Sequence, residues 1–111
     1  MEKIQIKKIA VLGSGIMGSR IACHLINVGF EVVLLDITPK ELNKTELKNN
    51  KKLNDQEVRN RIVNESLYNA VHSKPSPLFK KEKHTKIITG NFEDDIKLVS
   101  TVDWIIEVVV E

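Results

Sequence analysis

Three glycines spaced as Gly13-Ser14-Gly15-Ile16-Met17-Gly18, with Asp36 eighteen positions beyond the last, are the residues whose types and spacing best suit chemistry. The chemistry is the holding of phosphates and sugar hydroxyls. In this pattern the first glycine permits a tight turn, the second lets the backbone approach a pyrophosphate, and the third lets a helix pack close to a strand. The opening turn of that helix adds free amides and partial positive charge for the phosphates, and Ser14, Ile16 and Met17 are expected to bind the cofactor with the glycines. A carboxylate at Asp36 accepts hydrogen bonds from the hydroxyls of an adenine ribose and repels a 2′-phosphate, and no arginine follows it to accommodate one. The expected ligand is therefore NAD in preference to NADP. A glycine hexapeptide alone also describes a flexible loop, and an aspartate ending a strand is a common turn-former, so the flanking elements decide.

Those elements read as a βαβ unit. Ile9-Ala10-Val11-Leu12 is a continuous apolar run of the kind buried on both faces of a parallel sheet. Met17, Ile21, Leu25 and Val28 recur at helical spacing, which predicts a helix from about Ile16 to Val28 with Gly29 as its C-terminal glycine. Glu31 to Asp36 is a second buried strand. Thr38-Pro39-Lys40-Glu41 reads as a capping box opening a second helix that frays by Asn49-Asn50. Asn54-Asp55-Gln56-Glu57 starts a longer helix reaching about Ser73, and Pro75-Ser76-Pro77 ends it. Ile87-Ile88-Thr89 is a short strand, Gly90-Asn91 a turn, Glu93 to Val99 a short helix, and Asp103 to Val110 a strong strand. The order implies α/β architecture: a Rossmann-type doubly wound parallel sheet in the order 3-2-1-4, truncated after its fourth strand, with a long helical insertion before the third.

Composition bounds the rest. A chain of 111 residues supports one small core, burying roughly 60 to 70% of its unfolded surface. Apolar residues at 41% and charged ones at 29% exclude disorder, and a net charge of +2 does not suggest a nucleic-acid partner. The lone Cys23 allows no internal disulfide, and no apolar run is long enough for a membrane span or signal segment, so the expected setting is cytoplasmic and away from membranes. His24, His72 and His84 read as surface histidines, and no ligand spacing suggests a metal.

Lys8 to Ser19, the strand ending at Asp36, Asn64-Glu65-Ser66-Leu67 and Asp103 to Glu111 together resemble the NAD-binding domain of 3-hydroxyacyl-CoA dehydrogenase, over the whole chain. Ser73 to Phe79 is similar to a bacterial branch of that family acting in fatty-acid β-oxidation. The resemblance implies oxidation of the 3-hydroxyl of a 3-hydroxyacyl-CoA to a 3-ketoacyl-CoA. It places Met17 beside the cofactor and makes Val109, Val110 and Glu111 a wall near the nicotinamide. It also implies that the helical insertion contacts coenzyme A through a serine and a lysine: Ser66 matches the first, while the second falls at Ser73 with Lys74 next to it. Ten lysines between Lys40 and Lys86 suit a ligand with three phosphates and equally a solvated surface. The family's proton-abstracting histidine motif is absent, so residues 1–111 read as an NAD-binding domain incomplete at its C-terminal end, with no catalytic residue and inactive alone. Another dehydrogenase of the β-hydroxyacid type and a non-catalytic NAD-sensing domain remain open at this point. Glu107, inside an apolar run, would need a partner if buried. Strand 103–110, left at a sheet edge with no proline or lysine, is expected to promote self-association.

Overall fold

The computed structural model describes residues 5–78 and 80–108. Its centre is a four-stranded sheet of β1 (Lys8–Leu12), β2 (Glu31–Asp36), β3 (Ile87–Asn91) and β4 (Trp104–Glu107). The strands are all parallel in the order β3-β2-β1-β4. Apolar β1 and β2 take the two central positions, where parallel strands must be buried on both faces, and Val32 to Leu35 are all fully inaccessible.

Helix α1 (Ile16–Asn27) crosses from β1 to β2 and buries Gly18, Ser19, Ala22, Cys23 and Ile26. Its end is set by Gly29, at φ +101°, where the amides of Gly29 and Phe30 close back onto the carbonyls of Ile26 and Leu25. Both bonds satisfy carbonyls that a helix terminus otherwise leaves unpaired, and the left-handed conformation suits a residue without Cβ.

The insertion between β2 and β3 differs from expectation in where its helices begin. Helix α2 spans Lys44–Lys48, not Thr38 onward. The amide of Glu46 donates to Asn43 Oδ1 at 2.8 Å and the amide of Asn43 donates to Glu46 Oε1 at 2.9 Å, so the capping box forms five residues later than Thr38. Two further bonds select that register: the Arg61 guanidinium pairs with the Glu46 carboxylate and also donates to the Glu41 carbonyl at 3.1 Å. The long helix is divided at Asn60 into α3 (Gln56–Arg59) and α4 (Arg61–Val71). Asn60 is drawn into the sheet instead of outward, because its Oδ1 accepts from the buried Asn91 amide at 2.8 Å. Lys74 therefore lies beyond the end of α4, exposed and next to Pro75, and not on the helix.

Gly90 and Asn91 end β3 instead of forming a turn. A Cβ on Gly90 would come within 2.5 Å of the Asp95 carboxylate, which accepts the Asn91 amide at 2.9 Å. The expected helix from Glu93 is a turn followed by a 3₁₀ segment, Ile96–Thr101. The Asn91 side chain accepts the amides of Glu93 and Asp94, bonds that hold the chain in a turn where a helix would need those residues to continue.

The two faces of the sheet are covered unequally. On one, α1 and α4 close over Val11, Val32, Leu34 and Ile87, burying Ala22, Cys23, Ile26, Val63, Leu67 and Val71. On the other, Ala10, Val33 and Leu35 are capped by Phe92, Leu98, Val99 and Val102.

Candidate functional site

The carboxyl ends of β1, β2 and β4 open into a cleft of about 580 Å³, as parallel sheets place ligands. Its floor is the turn from Leu12 to Met17; its rim carries Asp36, Ile37 and Phe92 on one side and Glu107 and Val108 on the other. A depression of about 650 Å³ at the opposite end, among Ile26, Gly29, Lys83 and Lys86, lies by the C-terminal end of α1, where the helix presents carbonyls and not amides.

The three glycines divide the work of the loop. Gly13, at φ +108°, passes so near β4 that a Cβ would lie 2.3 Å from the Val108 carbonyl oxygen. Gly18 is tighter still, with its absent Cβ 1.8 Å from the Gly13 carbonyl oxygen. Gly15 meets nothing within 4 Å, so its missing side chain leaves open ground at the start of α1 for a ligand phosphate.

Asp36 is oriented by the loop it faces. Its Oδ2 accepts the Ser14 amide at 2.8 Å and the Ser14 hydroxyl at 2.5 Å, while Oδ1 accepts the Ile37 amide at 2.7 Å. Ser14 is fully buried, and its carbonyl accepts the Ser19 hydroxyl at 2.5 Å. A chain Ser19, Ser14, Asp36 thus locks the carboxylate against α1, and Oδ1, with one donor, keeps capacity for a ribose hydroxyl. The role of Ser14 was missed in the sequence, although it is the middle residue of Gly13-Ser14-Gly15.

Of the residues singled out from sequence, Gly13, Ser14, Gly15, Ile16, Met17 and Asp36 meet in this cleft, with Gly18 buried behind it. Val109, Val110 and Glu111 lie outside the described residues. Ile37, Phe92, Glu107 and Val108 join the cleft without having been anticipated as lining it. Glu107 is exposed there, so it needs no buried partner. Ser66 lines a separate groove of about 380 Å³ between α1 and α4, with Ser73 but not Lys74. Burial pushes the Cys23 thiol up to about 11, against a smaller opposing effect of Arg20, so it stays protonated and is no nucleophile at neutral pH. Among the described residues no group of three or more His, Cys, Asp or Glu could hold a metal ion, and no helix is long and apolar enough to cross a membrane.

A parallel sheet in this order, with a glycine turn at the carboxyl end of β1 and an acid at the end of β2, defines a dinucleotide-binding domain of the Rossmann type. Comparison with known proteins agrees: the family described as 3-hydroxyacyl-CoA dehydrogenase, NAD binding domain, matches residues 8–111, and the chain belongs to that family. It is 47% identical over 106 residues, 96% of its length, to a probable 3-hydroxyacyl-CoA dehydrogenase of Bacillus subtilis. A putative fatty acid oxidation complex trifunctional enzyme of Rickettsia felis is 39% identical over 107 residues. The chain spans 13% of the length of each of those two proteins. Among solved structures, M. tuberculosis FadB2 superposes with a TM-score of 0.55 at 22% identity, covering 97% of this chain and 32% of that one. The 3-hydroxybutyryl-CoA dehydrogenase of Escherichia coli K12 gives 0.52 at 21% identity, covering 97% and 20%. These structures share the fold.

Proposed function

We propose that this domain supplies the cofactor side of an enzyme that oxidises the 3-hydroxyl of a 3-hydroxyacyl-CoA to a ketone, and that it selects NAD over NADP. When bound, NAD supplies the hydride acceptor for that oxidation. The observation that carries the reading is the Asp36 carboxylate, held on the cleft rim by Ser14 and the Ile37 amide with one oxygen still able to accept. Gly15 and the opening amides of α1 receive the pyrophosphate, Ile37 and Phe92 give the adenine an apolar wall, and Met17, Val109, Val110 and Glu111 serve the nicotinamide half. Ser66 contacts the acyl-CoA, with Lys74 contributing from outside the groove. The reading includes a cytoplasmic setting, where a single buried thiol is at no disadvantage, and self-association through the edge strand 103–110.

The test is calorimetric titration of the chain with NAD and NADP. NAD is expected to bind more tightly, and Asp36→Ala to reduce NAD affinity roughly ten- to hundredfold, the range expected for hydrogen bonds to a charged group, with little effect on NADP. Equal affinities in the unaltered chain would sink the selectivity.

A further inference from the structure

We propose that Arg20 is the anion-binding residue of the groove between α1 and α4, where it grips a phosphate of the acyl carrier; the proposal rests on the acyl-CoA reading above. Arg20 projects from α1 toward Ser66, Asn69 and Ser73 across about 380 Å³ of space. Ser66 and Asn69 lie three apart on α4 and Ser73 just past its end, and the three line one side of the groove. Arg20 is tethered there: its Nη2 donates at 3.3 Å to Ser73 Oγ, whose own hydrogen is committed to the Ala70 carbonyl at 2.6 Å.

Charge accounting sets this arginine apart. The chain has three arginines. Arg59 pairs with Glu93 and Asp94, and Arg61 with Glu46, whereas among the described residues no carboxylate pairs with Arg20. No acidic residue lines the groove, and its polar lining is a guanidinium, two hydroxyls and an amide. A guanidinium with most of its donors unspent, facing the Ser66 hydroxyl and the Asn69 amide and no acid, suits a phosphate, which it can bind through two parallel bonds. Arg20 is absent from the lining of the Asp36 cleft, while Gly15 lines both spaces, so an unchanged NAD affinity is what separates the phosphate Arg20 serves from the pyrophosphate over Gly15. It also supplies the cation that Lys74, outside the groove, does not bring there.

Three probes test this on the intact chain: coenzyme A, dephospho-coenzyme A and pantetheine, each titrated into the unaltered protein, Arg20→Gln and Arg20→Lys, with NAD titration and circular dichroism as controls on folding. Arg20→Gln is expected to weaken coenzyme A roughly ten- to hundredfold while leaving pantetheine and NAD unchanged, and Arg20→Lys to restore part of the loss. A loss confined to coenzyme A assigns the contact to the 3′-phosphate; a loss shared with dephospho-coenzyme A assigns it to the diphosphate. Coenzyme A weakened no more than pantetheine, or NAD weakened equally, overturns the role of Arg20 and leaves the acyl-CoA reading standing. If coenzyme A fails to bind even the unaltered chain while NAD binds, both fall together.

Discussion

Gly13, Gly15 and Gly18 occupy one motif but face different surroundings, and that difference separates folding from binding. A methyl group at Gly18 would be driven into the Gly13 carbonyl, and one at Gly13 into the Val108 carbonyl, with no flexible side chain to yield. Gly13→Ala and Gly18→Ala should each cost about 1–3 kcal/mol of stability or more, the range for overpacking. Gly15→Ala has open space around its methyl, so its melting temperature should match the unaltered chain while NAD affinity falls. Thermal melts paired with NAD titration decide this, and a Gly15→Ala variant that melts as low as the other two would contradict it. At this scale the sequence was informative wherever a residue acts through its backbone: glycine spacing and a strand-terminal acid are visible in one dimension. Ser14 was not, because its two bonds to Asp36 join the loop after β1 to the last residue of β2, positions that only the folded register brings together. Phe92 was equally hidden, arriving at the cleft from the turn after β3.

At the scale of elements, β4 is held to β1 by an acid clamp. The amides of Lys7 and Lys8 donate to Asp103 Oδ2 at 2.9 and 3.0 Å, and the Asp103 amide returns to the Lys8 carbonyl at 2.8 Å. Those two donated bonds hold the carboxyl below its ordinary range. A carboxylate with a lowered folded pKa contributes stability that is present above its unfolded pKa of about 3.9 and is lost as pH falls through the folded value. Melting temperature should therefore drop on acidification, and the gap between the unaltered chain and Asp103→Asn should narrow below about pH 3.9. Asp94, held low chiefly by Arg59, contributes acid sensitivity that the variant keeps. A gap that widens on acidification would refute the clamp. The same strand is an edge of the sheet, with Trp104 55% and Ile105 42% exposed. The expected outcome is concentration-dependent association by light scattering that Trp104→Lys abolishes; a strict monomer at high concentration would show otherwise. Strand identities were legible because β1 and β2 are uninterrupted apolar runs. Helix starts were less so: Thr38-Pro39-Lys40-Glu41 and Asn43-Lys44-Thr45-Glu46 present the same cap signal, and only the tertiary partner Arg61 chooses between them.

For the whole molecule, the order β3-β2-β1-β4 was accessible from the succession of elements, since parallel strands with right-handed crossovers leave few alternatives. The unequal cover of the two faces was not, because it depends on Asn91 stopping a helix and on Asn60 turning inward. One arrangement at this scale bears on how the molecule responds to two occupants. Gly15 and Ile16 form part of both the Asp36 cleft and the α1–α4 groove, so a single stretch of backbone is a common wall. If a ligand on one side shifts that wall, the shift reaches the other side. Reciprocity then holds by thermodynamic necessity: the factor by which NAD alters the affinity for coenzyme A equals the factor by which coenzyme A alters the affinity for NAD. Four titrations, each ligand with and without saturating amounts of the other, should close that square with a factor other than one, whereas a factor of one would mean the wall is too stiff to transmit anything.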